Sequence, residues 1–157
     1  MLLLTSTATG FSKLHRGKNS VNQQDIVEIQ QVQALYGHAV DWPDQSLLPK
    51  VFTKDAIFDG RKSGGERQYY AGLDAISAWF ALGKPPHPRV HHMMNVWVYE
   101  EGGEVRVKGK WIVRAIQDGV IYFGDYDDVM ERTPVGWRIK HRIVTTRDPG
   151  PTYAAGK

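Results

Sequence analysis

The sequence predicts an α+β fold in which amino-terminal helices pack on a curved, mainly antiparallel β-sheet. Apolar residues first recur every three or four positions, and from Val90 onward they alternate with polar residues. The alternating segments are joined by connections of a few residues, which favours an antiparallel meander. Because the helices precede these strands, we expect them to cover one face of the sheet.

The composition is that of an ordinary folded domain. At 157 residues the chain is long enough for one core, and its 41% hydrophobic and 24% charged residues disfavour disorder or a fibrous repeat. The formal net charge is +3, but the basic residues are scattered among carboxylates. We therefore expect no nucleic-acid partner.

No segment is long and apolar enough to suggest a membrane partner, and the apolar run at residues 1–4 is too short for a signal peptide. The absence of cysteine excludes disulfides, thiolate nucleophiles and cysteine-based zinc sites. It also agrees with a reducing compartment, so we expect a cytoplasmic protein.

Both ends of the chain are expected to lie outside the folded domain. Residues 1–20 are small, polar and basic after the first few positions, which predicts a flexible amino-terminal arm. The sequence leaves open whether this arm is native. We expect the domain to span 21–148 and a short tail to follow at 149–157.

The clearest helix starts near two capping residues, Ser20 and Asn22. It is expected to end at Asp41, because Pro43 disfavours the helical conformation in the residue before it. Its apolar stripe has the three- and four-residue spacing of an amphipathic helix and consists of Ile26, Ile29, Val32, Leu35, Tyr36, Ala39 and Val40.

Shorter elements follow this helix. A second helix is expected around Leu48, with Pro49 in its first turn, followed by a brief strand at 56–59 and a loop at 61–67. A third helix opens at Gly72 and ends before a proline cluster.

Four long strands complete the prediction, at 90–99, 104–116, 120–132 and 137–146. Strict alternation in the first of them would place His91, Met93, Asn95 and Trp97 on one face. His92 would then point to the opposite face, so only one of the two histidines can enter a cavity.

Several segments, taken in their order and spacing, carry a family resemblance. They are residues 36–41 (YGHAVD), 52–56 (FTKDA), 72–76 (GLDAI), 91–95 (HHMMN), 124–128 (GDYDD) and 136–139 (GWRI). Together they resemble the nuclear transport factor 2 superfamily, in its SnoaL-like and scytalone dehydratase-like branch. The resemblance implies a cone-shaped barrel, open at one end, whose cavity serves different reactions in different members.

The resemblance also implies a proton-transfer dyad. In members similar to scytalone dehydratase, bile-acid 7α-dehydratase and hexachlorocyclohexane dehydrochlorinase, an Asp ends the first helix and a His begins a strand. Asp41 matches the first position, and His91, four residues before Asn95, is chosen for the second over His92. Such a carboxylate fixes the imidazole tautomer and leaves the other nitrogen as a base. The alternative is that Asp41 caps a loop and His91 is a barrel histidine without catalytic role.

The same resemblance makes Tyr36 a pocket residue whose phenol can hydrogen-bond a substrate oxygen, with an aromatic on the core face of the first helix as the alternative. Tyr126 and Asp128 share one face of their strand, and we expect both in the cavity. A carboxylate in an apolar barrel needs a partner, which Tyr36 or an arginine could supply. Phe58 and Trp111 are expected to form the cavity wall, with core packing as the alternative.

The chain departs from its dehydratase-like relatives at Ala115, where they carry a second His or an Asp. The sequence therefore favours a base-only elimination, isomerisation or cyclisation over a two-group dehydration. No metal site is expected, because adjacent residues such as His91 and His92 point to opposite faces of a strand.

We therefore expect a small cofactor-independent lyase or isomerase that acts on an apolar cyclic or aromatic substrate by His–Asp acid–base chemistry. The alternative is a non-catalytic ligand-binding or assembly domain of the same fold. Members of this branch are often dimers or trimers that assemble through the outer face of the sheet, which implies a homo-oligomer, with a trimer preferred to a dimer.

Overall fold

A computed structural model describes residues 21–41, 45–63, 68–82, 90–114 and 120–147. The predicted arm and tail, and Ala115, lie outside these ranges. The helices are α1 (Gln23–Asp41), α2 (Leu48–Val51) and α3 (Leu73–Leu82). The strands are β1 (Phe52–Asp59), β2 (Tyr69–Ala71), β3 (His91–Glu101), β4 (Glu104–Arg114), β5 (Ile121–Thr133) and β6 (Gly136–Thr146).

Reciprocal hydrogen bonds define the start of helix α1. The backbone N–H of Asp25 donates to Oδ1 of Asn22 at 3.0 Å, and the backbone N–H of Asn22 donates to Oδ2 of Asp25 at 3.0 Å. This exchange satisfies amides that the first turn leaves unpaired. The helix ends at Asp41, as the sequence predicts. Within the described ranges, no helix is long and apolar enough to cross a membrane.

The six described strands form one sheet in the order β2-β1-β6-β5-β4-β3. The predicted antiparallel meander from β3 to β6 is confirmed. Two features differ from the prediction: β1 begins at Phe52 directly after α2, and it pairs in parallel with β6. No strand was predicted at the position of β2, because three residues are too few to show an alternating pattern.

The inner face of the sheet is covered by α1 and forms the core. Its rows run across neighbouring strands: Val107 pairs with Asp128, which pairs with Arg142, and all three residues are fully buried. Two members of this row, Asp128 and Arg142, are charged and still lie fully buried in the core. The α+β prediction of helices over one sheet face is therefore confirmed.

A β-bulge at Asn95 interrupts the alternation in strand β3. Asn95 and Val96 together lie opposite the single residue Gly109, and Asn95 has a φ of 52°. The extra residue moves Trp97 to the outer face, where it is 59% exposed. The expectation that Trp97 shares a face with His91 is therefore wrong.

Candidate active site

Asp41 and His91 meet where helix α1 ends beside the first residue of strand β3. Oδ2 of Asp41 accepts the backbone N–H of His91 at 2.7 Å, and Oδ1 binds the ring Nδ1 of the same residue. The His91 side chain is 6% exposed and the Asp41 side chain 21%. One carboxylate therefore fixes both the backbone and the ring of this histidine.

Glycine permits this approach of helix and strand. A Cβ on Gly37, in the last turns of α1, would lie 3.2 Å from the carbonyl oxygen of His91. That distance is tighter than an ordinary carbon–oxygen contact, so a side chain here would push β3 away from the helix. His92 lies on the exposed side of the strand and is placed away from Asp41.

The inner end of the site contains two tyrosines and an arginine. Tyr36 lies with its ring centre 6.0 Å from that of His91 and 5.6 Å from that of Tyr126, both edge-on. The guanidinium of Arg142 lies over both tyrosines, with its Cζ 4.0 Å from each ring centre. These distances are typical of cation–π contacts.

Asp128 is the counter-ion of this arginine. Its Oδ1 accepts from Nε of Arg142 at 2.9 Å, and its Oδ2 accepts from Nη2 at 2.7 Å. Gln33 joins them: its amide N–H donates to Asp128 at 2.8 Å, and its oxygen accepts from Arg142 at 2.5 Å. The partner expected for Asp128 is thus an arginine, and the carboxylate lies behind the tyrosines.

Burial controls the protonation of this cluster. Burial raises the pKa of Tyr36, and the Arg142 charge opposes this rise. Burial also raises the pKa of Tyr126, to well above its ordinary value, with the neighbouring Tyr36 as the next cause. Burial lowers the pKa of Arg142, but the Asp128 carboxylate more than offsets this, so that the pKa lies above its ordinary value. Both phenols are therefore neutral near neutral pH, and the arginine is charged.

Aromatic side chains from β1 and α3 continue the wall beyond Tyr36. Phe80 lies 6.4 Å from Tyr36 and 5.9 Å from Phe58, measured between ring centres. Trp79 packs on Phe58 at 4.9 Å and stacks on Tyr70 at 4.7 Å. Phe58 is therefore part of an aromatic wall that reaches the site through Phe80.

Trp111 borders the site from strand β4. Its ring centre is 6.0 Å from that of Tyr126, and its indole N–H donates to the backbone oxygen of Asp125 at 3.3 Å. A Cβ on Gly124 would come within 2.6 Å of the Trp111 ring, so glycine is required for the ring to lie flat on β5. Trp111 is fixed against the inner face beside Tyr126.

Sequence reasoning missed Arg142, Gln33 and Phe80. A buried carboxylate at Asp128 indicated that an arginine could be its partner, but β6 and the neighbouring strands contain several arginines. The choice depends on the register between β5 and β6, which shifts at Val129–Met130. Gln33 and Phe80 lie on helices, where sequence spacing does not reveal which strand residue they contact.

A separate groove of about 650 Å³ lies at the other end of α1. It is lined by charged residues and one aromatic ring, including Asp25, Glu104, Arg132, Trp137 and Lys140. Arg132 pairs with Asp25 there, and the indole N–H of Trp137 donates to Asp25 at 3.1 Å. None of the dyad residues lines this groove, so it is not part of the candidate active site.

The described residues contain no group of three or more His, Asp or Glu side chains that could hold a metal ion. The two histidines at the start of β3 face different surroundings, and the acidic residues of β5 alternate between sheet faces.

Comparison with known proteins connects this geometry to a family. The SnoaL-like domain matches residues 22–143. An uncharacterized protein of Mycobacterium tuberculosis (strain ATCC 25618 / H37Rv), Rv2910c, is 31% identical over 127 residues, which cover 77% of this chain and 84% of the relative.

Solved structures share the fold. A protein of Novosphingobium aromaticivorans described as a candidate aromatic ring hydroxylase has a TM-score of 0.70 and 26% identity, covering 83% of this chain and 94% of that one. A nuclear transport factor 2-like protein from that organism has a TM-score of 0.67 and 22% identity over 82% and 85% of the two chains. A candidate scytalone dehydratase from strain DSM 12444 has a TM-score of 0.62 and 19% identity over 80% and 85%. The chain thus belongs to the SnoaL-like domain family, within the nuclear transport factor 2-like fold.

Proposed function

We propose that this protein is a cofactor-independent lyase or isomerase in which His91 is the base. The observation that carries the proposal is the double attachment of His91 to Asp41, through the backbone N–H and through Nδ1. A histidine that serves packing alone needs no carboxylate on both groups. This arrangement favours one orientation and one tautomer of the ring.

In the proposed reaction Nε2 of His91 removes a proton from a carbon next to a carbonyl. Nδ1 keeps its proton and donates a hydrogen bond to Asp41, whose negative charge stabilises the imidazolium that forms. The proton is then returned to another carbon in an isomerisation, or a leaving group departs in an elimination. Tyr36 and Tyr126 are neutral phenols and supply hydrogen bonds to substrate oxygens.

The aromatic wall supports an apolar cyclic or aromatic substrate. Tyr36, Phe80, Phe58 and Trp79 form a continuous set of ring contacts that leads away from the dyad. Flat apolar molecules pack well on such surfaces. The name of the candidate aromatic ring hydroxylase also points to a ring-shaped substrate, although the reaction proposed here is different.

A single base favours activated substrates. Since Ala115 stands where dehydratase-like relatives carry a second His or an Asp, a substrate must supply an acidic C–H beside a carbonyl or a leaving group that departs without protonation. We therefore propose double-bond shifts and enone-forming eliminations rather than dehydration of unactivated alcohols.

The test begins with a panel of cyclic ketones and enones, screened by the shift in unfolding temperature. Each binder is then incubated in D₂O, and deuterium uptake at the carbon next to the carbonyl is followed by NMR. Wild type is expected to accelerate uptake, and His91→Gln to reduce the acceleration at least about a hundredfold. His92→Gln is the matched control and is expected to keep it.

The same experiment distinguishes the proposed enzyme from a non-catalytic binding domain. Binding without accelerated exchange in wild type would favour that alternative, and a loss in His92→Gln instead of His91→Gln would move the base by one residue.

A further inference from the structure

A third tyrosine of the inner face lies at the same end of the sheet as the dyad. Tyr122 is on strand β5, four residues before Tyr126, and strand alternation places both side chains on the inner face. Tyr126 is 3% exposed, whereas Tyr122 is 42% exposed. Tyr122 is therefore a phenol of the inner face that a ligand can reach from solvent.

The strand register places Tyr122 in one row with His91. His91 pairs with Val113 of β4, and Val113 pairs with Tyr122 of β5. Val113 is buried, so an apolar residue separates the two polar side chains. Neighbouring strands lie about 4.8 Å apart, which separates His91 from Tyr122 by roughly 10 Å. Both side chains stand nearly perpendicular to the sheet, so their tips keep about this separation.

The hydroxyl of Tyr122 is not used within the protein. No residue that the structure describes hydrogen-bonds this hydroxyl or stacks on the ring. Tyr36 and Tyr126, by contrast, are buried and hydrogen-bonded to each other. A ligand oxygen can therefore replace water at Tyr122 without breaking a contact inside the protein.

The separation of His91 and Tyr122 suits a substrate one ring wide. A reacting carbon approaches its base to about 3–3.5 Å, and a hydrogen bond to a phenol spans about 2.8 Å. Of the 10 Å between the two side chains, roughly 4 Å then remains. One six-membered ring fills this distance, so an oxygen on its far side would meet the Tyr122 hydroxyl.

We propose that Tyr122 is a specificity-determining residue that hydrogen-bonds a second, unreacting oxygen of the substrate. This inference rests on the proposed function and narrows its substrate class to six-membered cyclic ketones that carry an oxygen across the ring from the carbonyl. The second oxygen stays neutral and takes no part in the proton transfer. A ring of the same shape without it leaves the phenol without this hydrogen bond and binds less tightly.

Two ketones of nearly equal shape probe this contact. 4-Hydroxycyclohexanone carries an oxygen across the ring from its carbonyl, and 4-methylcyclohexanone carries a methyl group in the same place. Ligand-observed NMR titration with the full chain gives the affinity of each compound. The quantity compared between variants is the ratio of the two affinities, hydroxyl over methyl.

Tyr122→Phe removes the hydroxyl and keeps the ring at a half-exposed position, so the variant is expected to fold like wild type. The ratio is expected to fall about three- to tenfold, the effect of one neutral hydrogen bond. The affinity for 4-methylcyclohexanone is expected to stay unchanged, because the methyl group makes no such bond. Tyr69→Phe is the matched control: Tyr69 is 43% exposed on β2, outside the row of His91, and the ratio is expected to stay unchanged.

The outcomes for this inference and for the proposed function differ. An unchanged ratio in Tyr122→Phe would overturn the role of Tyr122, as would an equal fall in Tyr69→Phe. Failure of wild type to bind either ketone would overturn the substrate class. Deuterium exchange that depends on His91, together with an unchanged ratio, would keep the reaction and reject the role of Tyr122. A ratio that depends on Tyr122 without any exchange would instead reject the reaction and keep Tyr122 as a ligand contact.

Discussion

Asp128 and Arg142 form a bidentate ion pair on neighbouring strands, at 2.9 and 2.7 Å, and neither side chain is exposed to solvent. The favourable interaction of the two charges offsets part of the cost of removing each from water. Either charge alone would be buried without compensation. The pair is therefore expected to dominate the response of this core to substitution.

The first prediction follows from the cost of burying one of these charges without the other. Asp128→Leu is expected to lower the free energy of unfolding by about 3 kcal/mol, because Arg142 stays buried without its counter-ion. Adding Arg142→Met to this variant is expected to recover part of the loss, since no charge is then left unpaired. Urea unfolding of the single and double variants measures both effects.

An exposed ion pair is the matched control. Lys140 and Glu131 are 2.7 Å apart on the outer side, and their side chains are 50% and 41% exposed. Removing Glu131 is expected to cost below about 1 kcal/mol. If Asp128→Leu costs as little, the buried pair is not formed in solution.

The second prediction concerns the tautomer of His91. Because the Asp41 carboxylate binds Nδ1, the neutral ring is expected to carry its proton on Nδ1 and to leave Nε2 unprotonated. Long-range ¹⁵N correlation NMR distinguishes the two nitrogens directly. Asp41→Asn is expected to shift both signals of His91 and neither of His92. A His91 spectrum insensitive to this substitution would show that the contact is absent.

The third prediction is a pH dependence at Asp59. Hydrogen bonds from Arg61, at 2.8 and 2.6 Å, lower the pKa of Asp59 from 3.8 to about 2, with burial opposing them and the His141 charge adding a small lowering. A depressed carboxyl pKa stabilises the folded state at pH values above 3.8, and this stability declines below 3.8 and is lost as pH falls through about 2.

Asp59→Asn is therefore expected to lower the free energy of unfolding at pH 7 by about 1 kcal/mol, since Arg61 is half exposed and the pair is screened. The difference from wild type is expected to shrink below pH 4 and to be lost only as the pH falls through and below 2, the folded-state pKa. Glu101→Gln, at a 68% exposed side chain, is the control and is expected to show little difference at any pH. A difference that is as large at pH 2 as at pH 7 would mean that Asp59 acts through packing.

The fourth prediction is homo-oligomerisation through the outer face of β3. Trp97 is 59% exposed and stacks on Tyr99 at 4.5 Å, and Met94 beside them is 41% exposed. Exposed apolar groups of this size on a sheet face are typical of an interface. Light scattering is expected to give about three times 17.8 kDa.

Trp97→Lys is expected to shift the mass towards that of a single chain. Val27→Lys, at a 50% exposed position of helix α1, is the control and is expected to leave the mass unchanged. A mass near 17.8 kDa for wild type at micromolar concentration would contradict the prediction.

Much of the fold follows from patterns within short segments of sequence. The stripe of α1, its end at Asp41 and the four long strands depend on periodicity and on turn residues, which act locally. The parallel pairing of β1 with β6 could not be predicted in this way, because it joins residues more than 80 positions apart, such as Phe52 and Ile139.

In the candidate site, too, the contacts that depend on long-range strand pairing could not be predicted. Asp41 and His91 were selected by family resemblance, and the structure brings them together. Arg142 was missed because its contact with Asp128 requires a register that no local pattern specifies. Asp128 had an identifiable need for a partner, but only the pairing of β5 with β6 determines which arginine meets it.

The alternation rule failed at Asn95, which leads to the last prediction. With a φ of 52°, Asn95 has a left-handed backbone that glycine adopts freely, asparagine tolerates and β-branched residues avoid. Asn95→Gly is therefore expected to change the free energy of unfolding by less than about 0.5 kcal/mol, and Asn95→Val to lower it by about 1–2 kcal/mol. Met94→Val, one residue earlier in the same strand and outside the left-handed region, is the control for the β-branched side chain and is expected to be nearly neutral. If Val is tolerated at 95 as well as Gly, the bulge is absent in solution, and Trp97 would return to the face of the strand that carries His91.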